Sequence, residues 1–249
     1  MKKHLQIYGR RAIMEAVQAG KPLEKVFIQK GLQGELAKEL LSLFKKEGIH
    51  TSMVPIEKLN RLTDGNHQGV VANISPITFA EFEPLVDTVI AEKEKPVFLI
   101  LDQLSDVRNF GAIIRTASCT GVDAIIVQKK GGAPVNEDTI KTSAGAVFQI
   151  PICKVDHIKD AVFYLQGSGV QVVAATEKAS SSLYEAKLDT ALAIVMGSEG
   201  RGINPSVLKI TDHNLKLHMM GEIGSLNVSV ACGVFLYEVV RQRFTNSEL

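Results

Sequence analysis

Val97 to Leu101 (VFLIL) is an unbroken apolar run, the mark of a strand buried on both faces. A loop follows, then a segment with helical spacing at Gly111–Gly121, then a second apolar strand at Ala124–Val127. Two strands joined through a helix form a parallel pair, because only a crossover brings the chain back in the same direction. The pattern recurs downstream. Strands are predicted at Val170–Ala175 and Leu192–Met196, and a helix at Ile158–Gln166. Asn214–Leu217 reads as a short strand before a final apolar helix that continues to Arg243. Residues 97–249 are therefore predicted to form an α/β domain on a mostly parallel sheet with helices on both faces.

The first 78 residues read as a separate small α/β unit. Tyr8–Ala19 suits a helix and Lys25–Ile28 a strand. Glu35–Glu47 has helical spacing through Leu36, Leu40, Leu41 and Phe44, and Ile49–Val54 and Val70–Ile74 suit strands. Ser75-Pro76 closes the unit, since proline ends regular pairing. Residues 79–96 are mixed and acidic and end at Lys95-Pro96, which reads as a linker containing some helix.

Charge separates the two parts more sharply than the total of +1 indicates. Residues 1–78 hold 12 Lys+Arg against 7 Asp+Glu, a net of +5; the remainder holds 16 against 20, a net of −4. The N-terminal part can attract a phosphate backbone, and the rest has no general basic surface. No apolar run approaches the roughly 18 residues of a membrane span, and the basic Met1-Lys2-Lys3-His4 is not followed by a signal-peptide core. Cys119, Cys153 and Cys232 are far apart and odd in number, with neither metal-ligand spacing nor a disulfide framework. Their apolar contexts predict buried free thiols in a cytoplasmic protein.

Three segments carry the candidate chemistry. Asp106-Val107-Arg108-Asn109-Phe110-Gly111 joins the first buried strand to its helix, and Arg115 lies four residues further on. Val195-Met196-Gly197-Ser198-Glu199-Gly200-Arg201-Gly202 follows another strand. Gly224-Ser225-Leu226-Asn227-Val228-Ser229 opens the last helix. Each has an ordinary structural explanation. Ser225 and Asn227 cap the free N–H groups of a helix. Asn109 serves as a turn residue, Arg115 as a surface arginine whose stem covers apolar groups, and Glu199 as a solvated loop charge. The glycines permit a tight turn or a close backbone approach to a ligand. Their G-x-x-G-x-G spacing is neither the dinucleotide fingerprint nor a phosphate loop.

In combination the three segments resemble the three motifs of the SpoU (TrmH-like) RNA ribose 2′-O-methyltransferases. Asn109 and Arg115 match motif one, Gly197 and Glu199 motif two, and Ser225, Leu226 and Asn227 motif three. Ile7-Tyr8-Gly9 and His67-Gln68-Gly69-Val70 resemble the N-terminal substrate-binding domain of the bacterial 23S rRNA guanosine 2′-O-methyltransferases of that family. The resemblance implies a catalytic α/β knot of the SPOUT type, a deep trefoil over 97–249, with an RNA-binding domain over 1–78. It also implies a homodimer with the knot helices at its interface and S-adenosylmethionine as cofactor without a metal. Gly197, Leu217 and Leu226 would hold the cofactor, with Met196, Met219 and Gly221 nearby. Arg115 would assist loss of the ribose hydroxyl proton or anchor the substrate phosphate, with Asn109, Glu199, Ser225 and Asn227 orienting these groups.

The chain departs from the family pattern at Val107 and His218, where proline is usual. Each change frees φ and restores an N–H donor. Large-subunit rRNA is the implied substrate. The alternatives are a tRNA ribose methyltransferase of the same family and a catalytically silent RNA-binding assembly factor. A nucleotide-binding oxidoreductase is disfavoured by the glycine spacing.

Overall fold

The structure is a computed structural model and describes residues 6–247. The basic residues Met1–His4 lie outside them. The chain divides into two compact units: Met1–Thr78 with Pro134–Glu137, and Phe79–Ala133 with Asp138–Leu249.

In the first unit the elements run β1 (Gln6–Tyr8), α1 (Arg10–Gln18), β2 (Leu23–Gln29), α2 (Glu35–Lys46), β3 (Thr51–Val54), α3 (Ile56–Leu62) and β4 (Val70–Ile74). The sheet order is β1-β4-β2-β3, with β4 antiparallel to both its neighbours and β2 parallel to β3. Alternation along β2 decides what packs on each face. Val26 and Ile28 join Ile13, Leu40 and Phe44 in one core, and Phe27 turns to Val54, Leu59 and Val71 on the other side.

The second unit runs α4 (Phe82–Glu92), β5 (Val97–Leu101), α5 (Val107–Cys119), β6 (Ala124–Gln128), α6 (Glu137–Thr142), β7 (Ile152–Val155), α7 (Ile158–Gly167), β8 (Gln171–Ala175), β9 (Ser181–Ser182), β10 (Leu192–Met196), α8 (Pro205–Leu208), β11 (His213–Lys216) and α9 (Val228–Ser247). Its seven strands lie in the order β7-β6-β5-β10-β8-β11-β9, and every pairing is parallel. β5 and β10 are buried at every residue, as continuous apolar strands in the middle of a covered sheet must be. Each fully buried aliphatic side chain there contributes about 1.5–3 kcal/mol.

Three expectations need correction. Residues 79–96 are not a free linker: Val86 of α4 is buried in the core of the second unit, and Ala80 bridges Cys153 beside β7. The helix predicted from Gly111 begins at Val107, because the Asp106 side chain accepts from Arg108 N and Asn109 N and caps it there. Cys119 is exposed at the end of α5, whereas Cys153 and Cys232 are buried. Burial pushes both buried thiols up to about 12, with Glu81 adding to the effect at Cys153.

The order of the last elements shapes the site. β11 lies beyond β8, while α9 packs against α5 near the other half of the sheet. Residues 217–227 carry the chain back between them and pass the loop after β10, where Asn227 bonds Glu199.

Candidate active site

The loop that leaves β10 folds on itself. Ser198 N donates to Gly202 O at 3.1 Å and Gly202 N to Ser198 O at 2.9 Å, with Gly202 at φ +67°. Gly197 is required by this turn. A Cβ there would lie 2.2 Å from the Gly202 carbonyl carbon and 2.4 Å from Ile203 N. The close approach anticipated for a ligand is thus first an approach of the loop to itself. At Gly200 a Cβ would meet nothing within 4 Å, so the backbone lies open.

The loop is anchored from below by Asp102, which the sequence did not single out. Asp102 follows β5, is 1% exposed, and accepts from Asn204 N at 2.6 Å. Burial raises its carboxyl pKa above the ordinary value, and the Asn204 N–H and the Gln103 side chain partly counteract the rise. A carboxyl whose pKa is raised by folding contributes stability at low pH. That contribution is lost as pH climbs from the ordinary carboxylate value through the raised one. Asp102→Asn keeps the acceptor and removes the charge. Its urea midpoint should equal or exceed that of the parent at pH 7, with the advantage shrinking in acid. Asp102→Ala leaves the Asn204 N–H without its partner and should cost about 1–3 kcal/mol. Equal midpoints for all three proteins at pH 7 would show that the anchor contributes nothing.

Above the loop three distant segments meet. Asn109 Nδ2 donates to Glu199 Oε1 at 3.1 Å across 90 residues, and Asn227 Nδ2 donates to Asn109 Oδ1 at 3.0 Å across 118. Asn227 Nδ2 also bonds Glu199 Oε1. Local structure aims each group. Asn109 is held in the first turn of α5 by Asp106, and Asn227 Oδ1 accepts from Ser229 N at 2.9 Å just before α9. Both the capping role and the convergence hold for Asn227.

Two cavities flank this cluster at the carboxyl ends of the strands, where open parallel sheets bind ligands. The first, about 420 Å³, has an apolar side formed by Met196, Leu215, Leu217 and Phe235; the glycine loop and residues 224–226 close it. The second, about 620 Å³, lies against Asn109 and the loops after β5 and β6. Glu199 and Gly200 line both. Met196, Gly197, Leu217, Met219, Ser225 and Leu226 line the first cavity; Gly221 is exposed and lines neither. Arg115 stands six residues along α5 from Asn109, exposed, and does not join the hydrogen-bonded cluster. Val107 is the first residue of α5, a position where proline and a non-proline residue both fit. His218 is exposed. Among the described residues no group of three His, Cys, Asp or Glu is placed to hold a metal ion.

In the first unit the segments Tyr8–Arg10 and His67–Val70 are brought together. Gly9 N donates to Val70 O at 3.1 Å and Arg10 Nε to Gln68 O at 3.0 Å. His67 Nδ1 accepts from Gly69 N at 3.0 Å, so its proton lies on Nε2, which faces Asn60 Oδ1 at 2.8 Å. Gly65 leaves room for the Tyr8 ring, which a Cβ would meet at 2.4 Å.

A fully parallel sheet with a glycine loop and a cavity at its carboxyl end defines the class of open, ligand-binding α/β folds, here accompanied by a second small unit. Residues 96–237 match the SpoU rRNA Methylase family, and residues 6–80 match the model for RNA 2′-O ribose methyltransferase substrate binding. A Staphylococcus aureus (strain MSSA476) protein, named for the TrmH family of tRNA/rRNA methyltransferases, is 35% identical over 243 residues. The alignment covers 98% of each chain. The SpoU methyltransferase AviRb of Streptomyces viridochromogenes shares the fold at a TM-score of 0.63 and 21% identity, over 98% of this chain and 91% of that one. The AdoMet-bound rRNA methyltransferase of Sinorhizobium meliloti does so at 0.61 and 22%, over 95% and 87%. The chain belongs to the SpoU rRNA methylase family.

Proposed function

We propose that the chain methylates the ribose 2′-hydroxyl of a guanosine in 23S rRNA, with S-adenosylmethionine in the first cavity. The observation that carries this reading is the meeting of Asn109, Glu199 and Asn227, of which Glu199 lines both cavities and Asn109 the second. The first cavity suits such a cofactor. Its volume falls in the range of small-molecule sites, its apolar side accommodates a flat base, and the open backbone at Gly200 offers polar groups. When bound, S-adenosylmethionine supplies a methyl group already activated as a sulfonium.

The protein then has to align the hydroxyl and help it lose its proton. Glu199, held by two amide side chains, orients the ribose at the boundary. Arg115, which makes no ion pair among the described residues, anchors a substrate phosphate and stabilises the developing alkoxide. Ser225 faces the cofactor from the first cavity. Residues 1–78, with their net charge of +5 and the Tyr8–Arg10 and His67–Val70 cradle, bind RNA and choose the target.

Removing residues 1–78 should weaken RNA binding and flatten its salt dependence by about 0.7 per lost phosphate contact, without changing the cofactor titration. Full affinity after truncation would assign recognition to residues 79–249. Mapping 2′-O-methylated nucleotides in RNA from a deletion strain tests the target itself. A site lost from tRNA in place of 23S rRNA would select the tRNA alternative, which the name of the S. aureus relative also accommodates.

We place the protein in the cytoplasm with its RNA and read it as a homodimer. Val230, Tyr237 and Phe244 recur every seven residues on α9 and are 53%, 57% and 69% exposed. An apolar stripe on a helix already packed against α5 on another side calls for a cover. Tyr237→Glu should shift the protein from dimer to monomer in sedimentation. A monomeric parent protein would remove this assignment.

A further inference from the structure

We propose that the second cavity receives the base of the nucleotide being methylated, and that the Asp106 carboxylate reads its hydrogen-bonding edge. The inference rests on the methyltransferase function proposed above and adds to it a site for the base. Position is the first argument. The cavity shares Glu199 and Gly200 with the first and includes Asn109. A ribose held at that shared wall projects its base away from the first cavity and into the second. A base must leave its stack to be reached in this way, and polar pockets for such extruded bases recognise their Watson–Crick edges.

The lining fits that task. Gln103, Asp106, Gln128 and Asn204 present polar side chains, and the cations Lys130 and Arg201 stand exposed at its margin. The wall is rigidly built. Gln103 adopts φ +59° and its N–H donates to Gln128 Oε1 at 3.3 Å. A non-glycine residue keeps such a conformation only where its surroundings enforce it.

Asp106 sets the chemistry of the edge. Its Oδ1 is engaged, accepting from Arg108 N at 2.9 Å and from Asn109 N at 2.8 Å. Its Oδ2 has no hydrogen-bond partner among the described residues, and Asp106 lines the cavity. An ionised carboxylate only accepts, so the base must offer donors. Guanine alone among the four bases carries two adjacent donors, N1–H and the N2 amino group, with the O6 acceptor beside them. Lys130 or Arg201 can donate to that O6. Adenine, cytosine and uracil each set an acceptor next to their donor.

Asp106→Asn separates recognition from folding. Asparagine caps a helix as well as aspartate does, so Oδ1 continues to hold α5, while an NH₂ donor replaces the free acceptor and opposes the donors of guanine. The methyl acceptor is RNA from a strain lacking the protein, with labelled S-adenosylmethionine as donor. The product is identified after digestion to nucleosides. The full-length parent protein should yield 2′-O-methylguanosine. Asp106→Asn should be about 10- to 100-fold slower, the scale of one lost base-specific contact, with cofactor affinity and urea midpoint unchanged. In a transcript of the mapped site, inosine, which lacks the N2 amino group, should slow the parent and leave Asp106→Asn unaffected. Full speed for Asp106→Asn, or equal inosine penalties in both proteins, overturns the base site. A methylated adenosine or pyrimidine overturns the assigned edge. Failure of the parent to methylate any RNA overturns the methyltransferase proposal instead, which is a different result.

Discussion

Arg115→Ala is expected to slow methyl transfer by about 10²- to 10³-fold, the usual effect of losing one electrostatic stabiliser of a developing anion, while S-adenosylmethionine binds as before. Arg115 is exposed on α5 and lines neither cavity. Its removal leaves no buried partner uncompensated, so stability should change by no more than about 0.5 kcal/mol. A fall in rate is therefore a functional effect. Arg115→Lys keeps the charge but loses the planar fork that grips a phosphate, and should fall between the two. Turnover and calorimetric affinity measured on the same preparations decide the matter. A matched loss in both would make Arg115 a structural residue, and unchanged turnover would remove it from the reaction.

Gly197→Ala should produce the opposite pattern. The added Cβ would lie within 2.5 Å of three backbone atoms of Gly202 and Ile203, and backbone in a closed turn cannot rotate away as a side chain can. The loop must shift and carry Glu199 with it. Overpacking of this kind costs about 1–3 kcal/mol, and cofactor affinity should drop about tenfold or more, since each factor of ten corresponds to about 1.4 kcal/mol. Gly221→Ala is the control: a Cβ there meets nothing within 4 Å and the residue lines neither cavity. Cofactor titration of both variants tests the assignment. Equal affinities would take the turn out of the site, and a loss at Gly221 would bring residues 220–223 into it.

The sequence made the parallel sheet of the second unit legible because its central strands are covered on both faces. β5 and β10 are apolar and buried at every residue. The edge elements were harder. β9 has two residues and α8 four, too few for any period to emerge. α5 was predicted to begin late because Asn109 and Arg108 look like loop residues until Asp106 is recognised as their cap. The polar cluster was legible only in part. Asn109, Glu199 and Asn227 could be singled out as residue types in suggestive places, but their meeting depends on a sheet order that periodicity does not encode. Asp102 escaped notice because an aspartate after a strand ordinarily signals a solvated turn. Its burial arises from Asn204, which the chain brings to it from 102 residues away.

That separation has a consequence for when activity begins. Asn109 is made early, Glu199 90 residues later, and Asn227 28 after that. α9, which holds Asn227 in place, is the last described element to leave the ribosome. At about 5–20 residues per second, a nascent chain spends several seconds with the first group of the cluster made and its last not yet synthesised. During that interval the hydrogen-bonded cluster lacks one of its three members. With ribosomal RNA as the proposed substrate, each copy is born beside that RNA in abundance, and late closure of the cluster keeps it silent until α9 has been made.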